Sequence, residues 1–135
     1  MSNPPADPHK TAVAGPPLAV AAEALFLINL MVLPGLAFFA LLLLWAMHRD
    51  HPDPLVRNHL RQTGWTCIWG GSLLVSLSVA IFVLGGFDNP WSWVIGVMYF
   101  TFVHSTLILL GMLGLSRAMN GRTWRYPGFG PREDR

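Results

Sequence analysis

One ionisable side chain, His104, falls deep inside a long apolar run, and a titratable group in that setting is a candidate for chemistry before anything else. If the run is helical, Gly96, Phe100, His104, Leu107, Gly111 and Gly114 share one face at spacings of three and four. Small residues on that face let another helix approach closely, and a buried imidazole would find a polar partner across the seam. Asn29 and Ser76 are the candidates at similar depth. His104 could act as a haem ligand, a proton relay or a substrate contact. The simpler reading is a neutral, hydrogen-bonded packing residue. A haem held by two histidines would need a second intramembrane histidine, and the sequence has none.

Three of the other four histidines, His48, His51 and His59, lie in a polar connector, interspersed with Asp50 and Asp53. Imidazole and carboxylate can hold transition metals. The spacing fits no structural zinc pattern and prolines separate the ligands, so a solvated, pH-sensitive loop is favoured over a metal site. Asp53-Pro54 suits a helix start, with the aspartate as N-cap and the proline at the first helical position. On that helix His59 and Gln62 are three apart and face the same way. We expect Arg125 or Tyr126 of the C-terminal tail to meet them. Paired carboxylates, a nucleophile elbow and a phosphate loop are all missing, and the acids outside the terminal tails are Glu23, Asp50, Asp53 and Asp88. With so few players for acid–base work the chain is not expected to be an enzyme, nor to hold a cofactor or metal by itself.

The elements that must position these residues are written in the charge distribution. Hydrophobic residues make up 53% of the 135 and charged ones 12%, about half the usual share in soluble domains. No Asp, Glu, Lys or Arg occurs in 24–47, 63–87 or 89–116. Each run is long enough for a membrane-spanning helix, which needs about 20 mostly apolar residues. The expected architecture is an all-α integral membrane protein: three transmembrane helices in an antiparallel bundle over residues 20–118. A proline-rich N-terminal tail, 1–19, is expected to be disordered, and a basic, aromatic tail follows over 119–135. The first span, Val20 to Met47, contains Pro34-Gly35, which kinks or breaks it. One kinked span is the preferred reading, with a re-entrant first segment as its rival.

Three spans put the connector and the C-terminal tail on one side with 3 + 5 = 8 arginines, against Lys10 alone on the other. That bias makes both cytoplasmic and the N-terminus periplasmic in a bacterial inner membrane. The pI of about 9.2 reflects these flanking arginines and not a nucleic-acid partner. Asn120-Gly121 is expected to end the last helix in a left-handed cap. Beyond it Arg122, Trp124, Arg125 and Tyr126 suit an anionic membrane surface.

Two stretches together resemble a known family. Val56, His59 and Gln62 stand where a bacterial membrane family of unknown function, related to Tic-twenty-type import components, shows a valine, histidine and glutamine at a helix start. Ala118, Gly121, Trp124, Arg125, Tyr126 and Pro127 match its characteristic tail, and magnetosome-membrane proteins belong to the same broad group. The similarity spans about residues 24 to 127. It departs at Leu60-Arg61, where small residues are usual, and in lacking an early histidine before the first proline. The resemblance implies a non-enzymatic scaffold or assembly factor working in a larger membrane complex.

Beside the bilayer, the partners expected are other membrane subunits or a second copy, met through the small-residue face of the last span. Two alternatives stand: an accessory subunit of a membrane oxidoreductase with His104 near a neighbour's cofactor, and an oligomeric transporter or channel.

Overall fold

The computed structural model describes residues 16–132. Four α-helices follow one another: α1 (Pro17–Met31), α2 (Leu36–His48), α3 (Pro54–Gly85) and α4 (Pro90–Met119), with no strand among the described residues. The proline-rich segment expected to be disordered lies outside the described residues except at its end, where Pro17 already opens α1.

The long helices start where local chemistry dictates. Asp53 Oδ1 accepts from Leu55 N at 2.8 Å with Pro54 at the first helical position, and Asn89 Oδ1 does the same for Trp91 N at 3.0 Å ahead of Pro90. At 32 and 30 residues, α3 and α4 measure about 48 and 45 Å, enough to cross a hydrocarbon core of about 30 Å. Both pass the length and composition test for a span, and most of each apolar window faces outward, unlike the core helix of a soluble protein. Phe102 and Leu84, for example, are 75% and 86% exposed.

The first apolar run corrects the expectation of a single kinked span. It folds as two separate helices, of 15 and 13 residues, about 22 and 20 Å long, and each is too short to cross. Pro34 cannot continue the hydrogen-bond ladder, and Gly35 adopts a φ of 90°, a conformation that side chains disfavour. Asn29 fastens the reversal: its Oδ1 accepts from Gly35 N at 3.0 Å, while Nδ2 points to Cys67 Sγ at 3.5 Å.

Contacts fix the direction of each helix. Glu23, near the start of α1, meets His59, near the start of α3, and a Cβ on Gly114, near the end of α4, would sit on the Glu23 carboxylate. Three residues further along α1, Phe26 covers Gly111. So α1 runs parallel to α3 and antiparallel to α4, and α2 returns to the end where α1 began. The described bundle therefore contains two candidate spans and a helical hairpin, in place of three spans.

The expected packing face of the last helix is real but its partner differs. Gly96 lies against Phe82 of α3, while Gly111 and Gly114 lie against Phe26 and Glu23 of α1. These glycines are used for packing within the chain. Replacing the turn fastener tests the hairpin. Asn29→Leu is expected to cost about 1–3 kcal/mol, as the Gly35 amide and the Cys67 contact lose their partner. The check is the thermal midpoint in detergent, and an unchanged midpoint would show that proline and glycine hold the reversal unaided.

Candidate functional site

At the end of the bundle where α1 and α3 begin and α4 finishes, the polar side chains turn inward. Glu23, His59, Gln62, Thr63 and Tyr126 are all at most 1% exposed. Groups of this kind are tolerated inside only when paired.

The pairing is complete for three of them. His59 Nδ1 lies 2.6 Å from Glu23 Oε1, and its Nε2 lies 2.8 Å from the carbonyl oxygen of Arg122. Tyr126 Oη donates to Glu23 Oε2 at 2.5 Å. A carbonyl can only accept, so Nε2 carries a proton, and the tyrosine keeps its own to bond the carboxylate. One further proton lies between Nδ1 and Oε1. Whichever atom holds it, the cluster is neutral overall. Burial, and then the adjoining Glu23 carboxylate, push the Tyr126 phenol well above the usual tyrosine range.

The tail is drawn into this site by α3. Asn58 Oδ1 accepts from Trp124 N at 2.9 Å, Gln62 Oε1 from Tyr126 N at 3.3 Å, and Gln62 Nε2 donates to the Pro131 carbonyl at 2.9 Å. Phe26 packs its ring edge-on to Tyr126 at 5.4 Å between centroids. The approach begins at the end of α4, where Gly121 has φ 62° and the amides of Gly121 and Arg122 return to the carbonyls of Ala118 and Arg117. That is a Schellman motif, and it turns the chain back on the bundle. Hence the tail is not simply an arm lying on lipid: Tyr126 is buried, Trp124 is half-buried, and the Arg117 guanidinium lies 5.9 Å from the Trp124 ring centre.

The structure brings His59 and Gln62 together with Tyr126, and adds Glu23, which the sequence reading treated only as an acid at a span end. Arg125 does not join them; its Nε faces the Gly130 carbonyl at 3.5 Å on the exposed side. Of the connector histidines, His59 parts from the other two, whose rings lie 6.3 Å apart. His48 Nδ1 bonds the Leu44 carbonyl, His51 Nδ1 accepts from Asp53 N, and only His59 is buried. No cluster of three potential metal ligands occurs among the described residues.

His104 lies elsewhere. Its ring stacks on Phe100 at 5.1 Å, and it lines a lipid-facing cleft of about 680 Å³ with Asn29, Cys67 and Ser76. Neither Asn29 nor Ser76 bonds it, and Nδ1 has no hydrogen-bond partner. Asn29 is committed to the hairpin turn instead.

The characteristic sequence of one protein family matches residues 18–131, from the second residue of α1 to the tail proline whose carbonyl Gln62 holds. The chain belongs to the magnetosome magnetite crystal formation protein family. The magnetosome side of the resemblance is thus the one that holds, and the match says nothing of import components. The family region coincides with the hairpin, both long helices and the docked tail. No curated protein and no solved structure matches the chain.

The Tyr126 phenol gives the site a pH signature. A pKa raised on folding means that the neutral phenol's contribution is fully present below the unfolded value, about 10, and is lost as pH rises beyond it. Alkaline titration in detergent should therefore destabilise the wild type more steeply than Tyr126→Phe. Glu23→Gln should cost about 3–5 kcal/mol, since it breaks a buried charge-assisted pair. Equal alkaline slopes for wild type and Tyr126→Phe would remove the phenol from this account.

Proposed function

We propose that this member of the magnetosome family is a non-enzymatic organising component of the magnetosome membrane, acting in magnetite crystal formation by presenting a rigid, tail-capped helical platform. The observation that carries the reading is the fate of the buried polar side chains. Glu23, His59 and Tyr126 are consumed by one another, and Asn58 and Gln62 are engaged with the tail backbone. A catalytic site would keep such groups directed at a substrate; here they fix the shape of one end of the protein.

The topology belongs to the same proposal. With α1 and α2 as a hairpin, the N-terminus shares a side with the connector and the tail. All nine Lys and Arg residues then flank the bilayer on that side, where the three-span arrangement left one opposite. The positive-inside bias makes this the cytoplasmic face. Tags at the two ends, probed with an impermeant reagent in intact cells and then in inverted vesicles, should become accessible together. Opposite accessibility would restore a crossing first segment.

One observation favours a second reading, with His104 serving a cofactor held by a neighbouring subunit: its Nδ1 is buried without a partner beside a cleft that the imidazole lines. Replacement of the gene in a magnetite-forming cell separates the two. Deletion of the gene should change crystal dimensions in electron micrographs; Gly114→Leu, which drives a side chain into Glu23 and Tyr126, should do the same, while His104→Leu should leave them unchanged. Normal protein level with abnormal crystals in His104→Leu would favour the cofactor reading.

A further inference from the structure

Beside the docked tail, a groove of about 650 Å³ runs between the end of α2 and the first third of α3. On the α2 side it is lined by Leu42, Trp45 and Arg49, three and four residues apart, the arginine standing at the helix C-cap. On α3 it is lined by Arg57, Arg61, Trp65 and Ile68, at intervals of four, four and three. Each set is one stripe along its helix. Because the helices are antiparallel, the stripes match level by level: arginines outermost, then indoles, then aliphatic side chains. No Asp or Glu lines the groove.

The levels correspond to those of a bilayer. The charge-free part of α3 begins at Thr63, so Trp65 stands at the passage from headgroups to hydrocarbon, the depth at which tryptophan is enriched. Both indoles are exposed, Trp45 at 39% and Trp65 at 45%. At the rim, Arg57 Nη1 donates to the carbonyls of His51 at 2.6 Å and Pro52 at 3.2 Å, which holds its guanidinium in place. Arg61 is exposed beside it. Arg49 is 65% exposed, with the nearest acid, Asp50, at 3.5 Å from its Nε and turned to solvent.

We infer that this groove binds one anionic phospholipid of the surrounding bilayer. Its phosphate lies on Arg57 and Arg61 with Arg49 opposite, and an acyl chain runs between Trp45 and Trp65 toward Leu42 and Ile68. A guanidinium fork fits phosphate oxygens geometrically, and three of them against the single carboxylate of Asp50 leave the rim net positive, which favours a headgroup of net negative charge. A soluble anion would leave the indoles and the aliphatic floor uncovered. A zwitterionic lipid would leave the positive charge of the rim unbalanced.

The full chain, purified in mild detergent, is offered equimolar phosphatidylglycerol and phosphatidylcholine, and retained lipid is read by native mass spectrometry. We expect selective retention of one phosphatidylglycerol per chain. Arg57→Gln and Arg61→Gln should each reduce that selectivity about fivefold, the equivalent of about 1 kcal/mol per basic residue at a membrane surface. Arg122→Gln and Arg125→Gln carry the same charge change outside the groove and should leave it unaltered. Trp65→Ala should lower retention of both lipids. An equal loss in the tail variants would reduce the effect to diffuse surface charge and overturn the site, as would equal retention of the two lipids by the wild type. Since the ratio is read only on folded, monodisperse protein, a variant that unfolds is replaced by Arg61→Lys. That change keeps the charge without the fork and should give an intermediate ratio.

Discussion

Everything at the tail-bearing end of this bundle depends on one carboxylate. Glu23 is fully buried, and it is satisfied simultaneously by a histidine from α3 and a tyrosine from the tail, residues 36 and 103 positions away. A carboxylate at this depth without partners would be prohibitively costly. The hairpin, the start of α3 and the tail must therefore be assembled together or not at all. Gly114 is the geometric condition for that assembly, because any side chain there would occupy the space of the Glu23 carboxylate and the Tyr126 hydroxyl.

The same anchor explains the depth of α1. Glu23 fixes its first turns at the polar end, and about 12 Å of helix follows before Asn29, Pro34 and Gly35 reverse it. The irregular backbone of the reversal would be unfavourable in bare hydrocarbon. Its Gly35 amide is satisfied by the Asn29 side chain, which also touches Cys67 on α3, so the turn brings its own polar partner to that depth.

How far the sequence revealed this differed by element. The spans α3 and α4, their caps at Asp53 and their C-terminal glycine at Gly121 were legible, since charge-free length and capping chemistry are local properties. The approach of His59 and Gln62 to the tail could be anticipated from helix spacing and the shared side of the two segments. The hairpin was harder. Pro34-Gly35 signals an interruption, but choosing between a kink and a reversal depends on Asn29 bonding the Gly35 amide, six residues away. Glu23 was invisible as a partner of His59 because its role exists only once α1 runs beside α3. Sequence periodicity marks the small-residue face of α4 without saying which helix fills it; within the chain, α1 and α3 lie on its glycines.

The division of polar residues in this molecule separates shape from availability. Buried ionic groups seldom add much net stability, since desolvation offsets most of the pairing, and they act chiefly to exclude other arrangements. Here that selectivity falls on the tail, whose backbone is held at four points by α3 side chains and whose tyrosine closes over Phe26. The arginines, by contrast, remain outside the closed cluster: Arg57 and Arg61 line the groove, and Arg122 and Arg125 keep exposed side chains while their segment is fixed. Fixing the backbone with neutral, internally paired groups leaves the positive charge in place and oriented at the membrane surface. A fixed tail holds those charges in one arrangement, whereas a mobile one would spread them over many positions and lose the entropy of ordering them at each encounter.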